Sequence, residues 1–372
     1  VESAKDLCGG SSNTGHALFQ PLISVLTPPT QAGGAHLMNA VATGARLWVA
    51  ASEDGFVSFD FPAPPAVPAG KLNNWQVHGQ PVCNRLHRAG TTVFCASRRA
   101  SLGALIFDAQ TMAVTATVAV ALAAGSHSEG MADWQGVLYV ADHAKGLSRL
   151  SVSAPYALAA PITPKTALDA WDVVALPAKR LGVANGDHGL LLLAPGAATD
   201  GPWQVIGQAP LAGVSAHLAY DNGQLAVGSL SGGLHIVRVD SDGKMHLQGS
   251  LKARGLVHGV AFHDDLVLAA ARGHLLAVQR PAALAPAALA LTARGLEPSY
   301  YHAMDIDRVG DAVVSSEFQA VRQLHISTDA PVGPLLDTPL HLMTPLAAVG
   351  GVIKDKLDLR NAGSEPLHIH QI

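Results

Sequence analysis

Short apolar runs of small and β-branched residues, each broken by a polar turn and resumed as a second apolar run, recur along most of the chain. The segments are LWVAASEDGFVSFDF, VFCASRRASLGALIFDA, LYVADHAKGLSRLSV, LGVANGDHGLLLLAP, LAVGSLSGGLHIVRV, LVLAAARGHLLAVQR and AVVSSEFQAVRQLHI. With Val49, Cys95, Val140, Val183, Val227, Leu268 and Val313 as equivalent points, the intervals are 46, 45, 43, 44, 41 and 45 residues. A period of that length with two strands at its centre predicts one four-stranded blade per repeat, and so an all-β, seven-bladed β-propeller.

Each unit starts with a strand that ends in a tight turn, at Ala45-Arg46, Gln135-Gly136, Asn222-Gly223 and Asp264-Asp265 in four of them. Two central strands follow, then an outer one, for which the candidates are Trp75 to Val77, Val114 to Val120, Trp203 to Ile206, Met245 to Leu251 and Ala287 to Leu291. A lone blade leaves both faces open, so the blades must stack and the last must close on the first. The stretch Leu18 to Leu26 precedes the first inner strand and is placed to complete the last blade. The expected organisation is an N-terminal tail over 1–16, the propeller over 17–338 with 18–26 as closing strand, and a linker with a C-terminal hairpin over 339–372.

Two units carry a finer pattern: Leu138-Tyr139-Val140-Ala141-Asp142 followed by Gly146-Leu147, and Leu181-Gly182-Val183-Ala184-Asn185 followed by Gly189-Leu190. Over about residues 34 to 328 the chain resembles the LVIVD-type propeller repeats of bacterial secreted and surface proteins. The resemblance implies the fold; propellers host many unrelated functions, so it implies no particular activity. The second unit (Ser97-Arg98-Arg99) and the seventh (Ser315-Ser316-Glu317) depart from the pattern.

Composition narrows the partners. Apolar residues make up 49% and charged residues 14% of 372, enough to bury a large core and too little charge for a disordered polypeptide. Twenty-four Lys and Arg against 28 Asp and Glu leave a net charge near −4, which argues against nucleic acid and against an anionic membrane surface. No apolar run reaches the roughly 18 to 20 residues of a spanning helix. The start at Val1, with no basic and apolar leader, points to an exported chain, secreted or periplasmic. Cys83 and Cys95 flank a turn-forming stretch and either bridge across a hairpin or stay as buried thiols; Cys8 lies apart in the polar tail.

In a propeller the residues just ahead of each inner strand converge near the axis. Here they include His36, Arg85, His127 with Glu129, Trp171 with Asp172, His217, His258 and His302. Neutral imidazoles joined by a carboxylate or two are the usual ligands of Cu, Zn or Fe. The expected metal ligands are therefore His36, His217, His258 and His302, with Glu129, Asp172 and His127 as ligands or as acceptors that orient the rings. The turns around the same mouth carry both signs of charge, among them Glu53, Arg98, Arg99, Asp142, His143, Arg272 and Glu317, which suits a neutral or zwitterionic small molecule or a peptide. Tyr300, Tyr301 and Trp171 stand beside it, to stack on a ligand or to pack between blades.

No G-x-S-x-G, H-E-x-x-H, Walker A, G-x-G-x-x-G or C-x-x-C pattern occurs. The expected function is a propeller that binds a transition-metal ion or small ligand through this histidine cluster, with a protein partner at the rim. A metal-dependent oxidoreductase or hydrolase and a metal-free interaction scaffold are the alternatives. After Pro331, Pro334, Pro339 and Pro345, the segment from Val352 to Ile372 reads as two strands around a turn at Asn361 to Ser364, like the opening hairpin of an immunoglobulin-like sandwich. His368 and His370 share one side of its second strand.

Overall fold

The computed structural model describes residues 19–26, 36–43, 46–53, 55–60, 76–77, 82–163, 168–196, 202–253, 255–282, 289–290, 293–309, 312–318, 320–326, 336–337 and 360–361. Every regular element among them is a strand. β1 is Phe19–Leu26. The first blade is β2 (Asn39–Thr43), β3 (Arg46–Ala50), β4 (Phe56–Asp60) and β5 (Gln76–Val77). The second is β6 (Arg85–Ala89), β7 (Thr92–Arg99), β8 (Ser101–Phe107) and β9 (Val114–Ala121). The third is β10 (Met131–Trp134), β11 (Val137–Ala141), β12 (Leu147–Ser151) and β13 (Leu158–Ile162). The fourth is β14 (Asp172–Leu176), β15 (Arg180–Ala184), β16 (Leu190–Pro195) and β17 (Trp203–Ala209). The fifth is β18 (His217–Asp221), β19 (Gln224–Gly228), β20 (Leu234–Val239) and β21 (Met245–Leu251), extended by a parallel pairing with β24 (Leu289–Ala290).

The rest of the repeat region forms one six-stranded sheet of β22 (Val257–His263), β23 (Leu266–Gln279), β25 (Ala293–Val309), β26 (Ala312–Glu317), β27 (Ala320–Ile326) and β1. The described residues thus form an all-β propeller of six blade sheets, where the repeat predicts seven. Residues of β23 change face at its midpoint. Leu266, Leu268 and Ala270 share a cluster with Leu275 and Ala277, while Val267, Ala269 and Ala271 share the other with Leu276 and Val278. In an uninterrupted strand odd and even positions keep to opposite faces. The exchange of parity, with Gly273 at φ +98°, marks a reversal at Arg272-Gly273.

The outer partner of this hairpin is Ala293 to Pro298, not Ala287 to Leu291 as the sequence suggested. The Ala- and Leu-only stretch has no β-branched or aromatic side chain to cover a neighbouring strand, and its Leu289–Ala290 pairs instead with β21. β1 runs antiparallel to β27, so the chain's early residues complete the last sheet.

The inner strands pack against one another in the order β2, β6, β10, β14, β18, β22, β25 and back to β2. The apolar cores lie between neighbouring sheets. Phe94, Leu102 and Leu105 in the second blade and Leu138, Leu147 and Leu150 in the third are all fully buried. Both faces of every middle strand are covered, which is why sequences such as VLYVA and RLGVA read as near-continuous apolar runs. Two of the turns from inner to second strand, Gln135-Gly136 and Asn222-Gly223, are two residues long with both at positive φ, the hairpin geometry that matches strand twist.

Cys83 and Cys95 form a disulfide, with Cα atoms 5.7 Å apart. Cys8 and the polar tail lie outside the described residues. So does the predicted C-terminal hairpin with His368 and His370, except Arg360–Asn361, which pairs with Leu336–Asp337 (strands β29 and β28). Cross-linking residues 12 apart restricts the unfolded chain by about 3 kcal/mol in an entropy model. The Cys83→Ser/Cys95→Ser variant is expected to lose roughly that much stability, read as a lower urea midpoint.

Candidate functional site

The channel is lined by one register position of the inner strands. Asn39, Arg85, Asp172 and His217 pair with Ala50, Ala96, Ala184 and Gly228 on their second strands; Gly259 and Asp305 pair with Ala270 and Ser316. Gly130 takes the same place in the third blade, accepting the amide of Ala141 at 2.8 Å. This belt crosses the channel as one hydrogen-bonded layer. Arg85 reaches from the second blade to the fourth and fifth, placing Nη2 3.1 Å from Asp172 Oδ2 and donating through Nη1 to His217 Nδ1 at 2.7 Å. Asn39 donates to Asp305 and accepts the amide of Leu86 at 2.7 Å. Asp172 also accepts the amides of Leu218 and Val173, each at 2.9 Å.

The two glycines make room for the two acids. A Cβ on Gly130 would stand 1.8 Å from Asp172 Oδ1, and one on Gly259 would stand 2.5 Å from Asp305 Oδ1. Burial sets the protonation. It opposes the charge of Arg85, but Asp172, Asp305 and Glu129 outweigh it and hold the guanidinium above its ordinary value. Burial pushes Asp172 up against the pull of Arg85, and lifts Asp305 to about 7 despite Arg85. His217 falls well below the usual imidazole range through burial, then Arg85, His258 and Arg98. Its Nδ1 accepts from Arg85, so its proton is assigned to Nε2.

The belt divides the channel. Above it, at the mouth framed by the turns between the two middle strands, is a cavity of about 250 Å³ bounded by Arg85, Arg98, Glu129, Trp171, His217, His258 and Phe318. Below it a larger one, of about 630 Å³, opens at the inner-strand turns. Asn39, Arg85 and Asp305 face both.

The expected ligand set does not assemble. Among the described residues no group of three or more His, Cys, Asp or Glu is arranged to hold a metal ion. His217 and His258 are neighbours with ring centres 6.2 Å apart, but Arg85 occupies His217 Nδ1. His36 stacks on Phe318 at 4.8 Å and His302 lies 5.4 Å from the same ring, so an aromatic wedge takes the place of a shared ion. The two proposed carboxylates are held by arginines: Asp172 by Arg85, and Glu129 by Arg98 Nε at 2.6 Å. His127 uses its backbone amide on Asp142 Oδ1, at 2.6 Å, and lies edge-on to His143. Arginines put positive charge where the sequence reading placed a cation, and the donor set does not fit a metal.

On the rim, His143 stands between Glu129, 3.6 Å from Nε2, and Asp169, 2.9 Å from Nδ1, with Trp171 Nε1 donating to the other Asp169 oxygen at 2.9 Å. Glu129 foremost, then Asp169, raises His143 against burial. Asp142 and Asn185, at the ends of their second strands, accept the backbone amides of His127 and Asp169 and so fix the loops that carry these side chains. Burial, and after it Arg272, depresses His302; burial, then Arg272 and Arg98, brings His258 down to about 4. The side chains of Tyr300 and Tyr301 lie outside the described residues.

Arg85, Asn39, Asp305 and Phe318 were not candidates in the sequence. The signal that locates the first three is register: each sits at the belt position, whereas His36, Glu129, His258 and His302 fall one or three residues before it.

No family model and no curated relative matches the chain. The likeness to LVIVD-type repeats therefore rests on no family assignment. Solved structures share the fold. The RRP9 WD40 repeats align with TM-score 0.61 at 12% identity, over 83% of this chain and all of that one. A streptogramin B lyase aligns with TM-score 0.61 at 11% identity, over 82% and 97%. A chain of the mitotic checkpoint complex aligns with TM-score 0.61 at 10% identity, over 82% and 92%. Identities this low show the fold alone.

Arg85→Met would leave Asp172 buried without its cation and is expected to cost about 3–5 kcal/mol, measured by denaturant unfolding. The folded Asp305 binds its proton more tightly than the unfolded one. Between about pH 4 and 7 its contribution therefore falls as pH rises. Relative to wild type, Asp305→Asn should gain stability across that window, by up to roughly 4 kcal/mol at about 1.4 kcal/mol per pH unit. Paired thermal or urea melts across the window read this difference.

Proposed function

We propose that this chain is a metal-free binding propeller whose upper mouth recognises a carboxylate on a small molecule or at the end of a peptide. What supports the reading is the donor set there. The guanidinium groups of Arg85 and Arg98 border the cavity beside His217 and His258, and burial first, then the neighbouring arginines, keeps these imidazoles and His302 below their ordinary range. A metal ion entering this space meets cations, while a carboxylate meets guanidinium groups and neutral imidazole N–H donors. Arg98 turns Nε to Glu129 and keeps 54% of its side chain exposed at the rim, placed to close on an incoming anion. Trp171 and Phe318 supply apolar walls for the body of the ligand.

The same reading takes the ring as seven-bladed. The reversal inside β23 splits the six-stranded sheet into a sixth blade, ending with Ala293 to Pro298, and a seventh that starts in the second half of β25 and ends with β1. The solved neighbours are seven-bladed as well. We place the protein outside the cytoplasm, in the secreted or periplasmic space, a compartment in which the Cys83–Cys95 bridge persists.

Calorimetric titration with a panel of mono- and dicarboxylates, each matched by its amide, tests this. At least one acid is expected to bind roughly tenfold or more tightly than its amide, and Arg98→Ala to weaken it by about tenfold, the range for losing a charge-assisted contact. Equal binding of acid and amide overturns the reading. So does stoichiometric Cu, Zn or Fe that is lost in both His217→Ala and His258→Ala, which would restore the metal centre.

A further inference from the structure

The cavity below the belt has the opposite chemistry. Five aspartates face it: Asp172, Asp221, Asp264, Asp305 and Asp307. Four are engaged by side chains. Asp172 has Arg85, Asp221 has Arg280, Asp264 has Arg308 Nη1 at 3.2 Å, and Asp305 has the amide of Asn39. The fifth differs. Asp307 Oδ1 accepts only the backbone amide of the next residue, Arg308, at 2.7 Å, and among the described residues no side chain pairs with its carboxylate.

Asp305 and Asp307 are two apart on β25, on one face of the strand, so both carboxylates face the same space. The charged and titratable groups that line the cavity with Asp307 are Asp305 and Arg308 on its own strand, Asp264 at the adjacent turn, Arg85 and His87 on β6, Asp172 on β14, Tyr220 and Asp221 on β18, and Arg280 just after β23. His87 is bound to Asp133, 2.7 Å away. Alongside, the walls are apolar: Val41, Val174, Ala219, Ala261 and Phe262. Burial leaves Asp307 raised to about 6, as expected for a carboxylate taken from water without a counter-ion.

We propose that this lower cavity is a second binding site, separate from the carboxylate site above, for an organic ammonium ion with an apolar body, whose nitrogen is held by the Asp307 carboxylate with Asp305 behind it. The observations select this class over others. A divalent cation needs about six oxygen ligands or a cluster of donors, and the described residues offer no such group. An anion would meet Asp305 and Asp307 directly. A primary ammonium needs one carboxylate and two or three acceptors, and its alkyl chain would lie on the Val41, Val174 and Ala219 surface. At about 630 Å³ the space falls within the range of small-molecule sites.

The test is calorimetric titration of the intact protein with n-hexylammonium, with 1-hexanol as the uncharged match. Near pH 8, where Asp307 is ionised, the ammonium is expected to bind at least about tenfold more tightly than the alcohol. Affinity should fall by about tenfold near pH 5, where the carboxylate is protonated. Asp307→Asn should remove the preference for the charged probe, and Asp307→Glu should retain it. The carboxylate panel should titrate unchanged in Asp307→Asn, which separates this site from the one above. Equal affinity for ammonium and alcohol in wild type overturns the proposal. So does a pH-independent affinity, or an Asp307→Asn protein with unaltered melting that still prefers the ammonium. The wild-type comparisons decide the matter even if the variant fails to fold.

Discussion

A four-stranded blade cannot cover either of its faces, so each blade must be locked to the next before any pocket exists. In this protein the lock is a backbone hydrogen bond made by one residue in the turn between the two middle strands. Ser52, Arg98, His143, Gly186 and Leu230 occupy that place, and all five have positive φ. Each reaches into the next blade's approach strand. Cys83 N donates to Ser52 O at 2.7 Å, Arg98 N to Ser128 O at 3.1 Å, and Val257 N to Leu230 O at 3.1 Å, while His143 pairs with Ala170 and Gly186 with Ser215 in both directions. Phe318 N and O join His302 and Leu37 in the same manner, closing the last blade on the first. A left-handed conformation costs roughly 1–2 kcal/mol for a residue with a side chain. It is retained because the hydrogen bonds are buried at the blade junctions, where an unpaired amide would cost as much or more. One consequence is functional: the side chains at these positive-φ positions include Arg98, His143 and Leu230, which frame or border the upper cavity.

The belt follows from the same geometry. Once the inner strands are held at one height, residues in one register come within reach across the axis, and their charges must balance because little water separates them. Asp172 and Asp305 are tolerated only because Gly130 and Gly259 leave space beside them, and because Arg85 is long enough to serve the fourth and fifth blades from the second. A lysine there would offer a point charge in place of a planar fork that meets a carboxylate and an imidazole at once.

The repeat was legible because both faces of each middle strand are buried. That constraint writes small and β-branched residues into every unit at nearly constant spacing. Strand boundaries in the sixth unit were less legible, since Ala- and Leu-rich segments pair with whichever edge is nearest, as Leu289–Ala290 does with β21. The site was legible only in part. Asp172 and His217 do share the belt, and His258 lies beside His217. His36, His302 and Glu129 were grouped with them by nearness to the strand start, but in a strand a displacement of one residue moves a side chain to the other face. Which polar residues meet depends on register, and register is set by pairings such as Gly259 with Ala270, where a bulge has already shifted the count. Arg85 escaped notice because it was weighed as one residue of an approach loop, whereas its influence comes from its reach.

The belt also explains why the two sites proposed for one channel differ in preference. Arg85 is the shared charge. Above it, burial and then the charges of Arg272 and Arg98 hold His258 low, and burial and Arg272 hold His302 low, which is the basis for proposing an anion there. Below it, Asp305 and Asp307 outnumber what Arg85 can compensate after serving Asp172, and both carboxyls rise through burial. A proton or an ammonium ion relieves that excess equally well. Asp305 faces both cavities and is one of three acids that hold the Arg85 guanidinium above its ordinary value, so the belt that separates the two cavities is itself held together by charges from both sides.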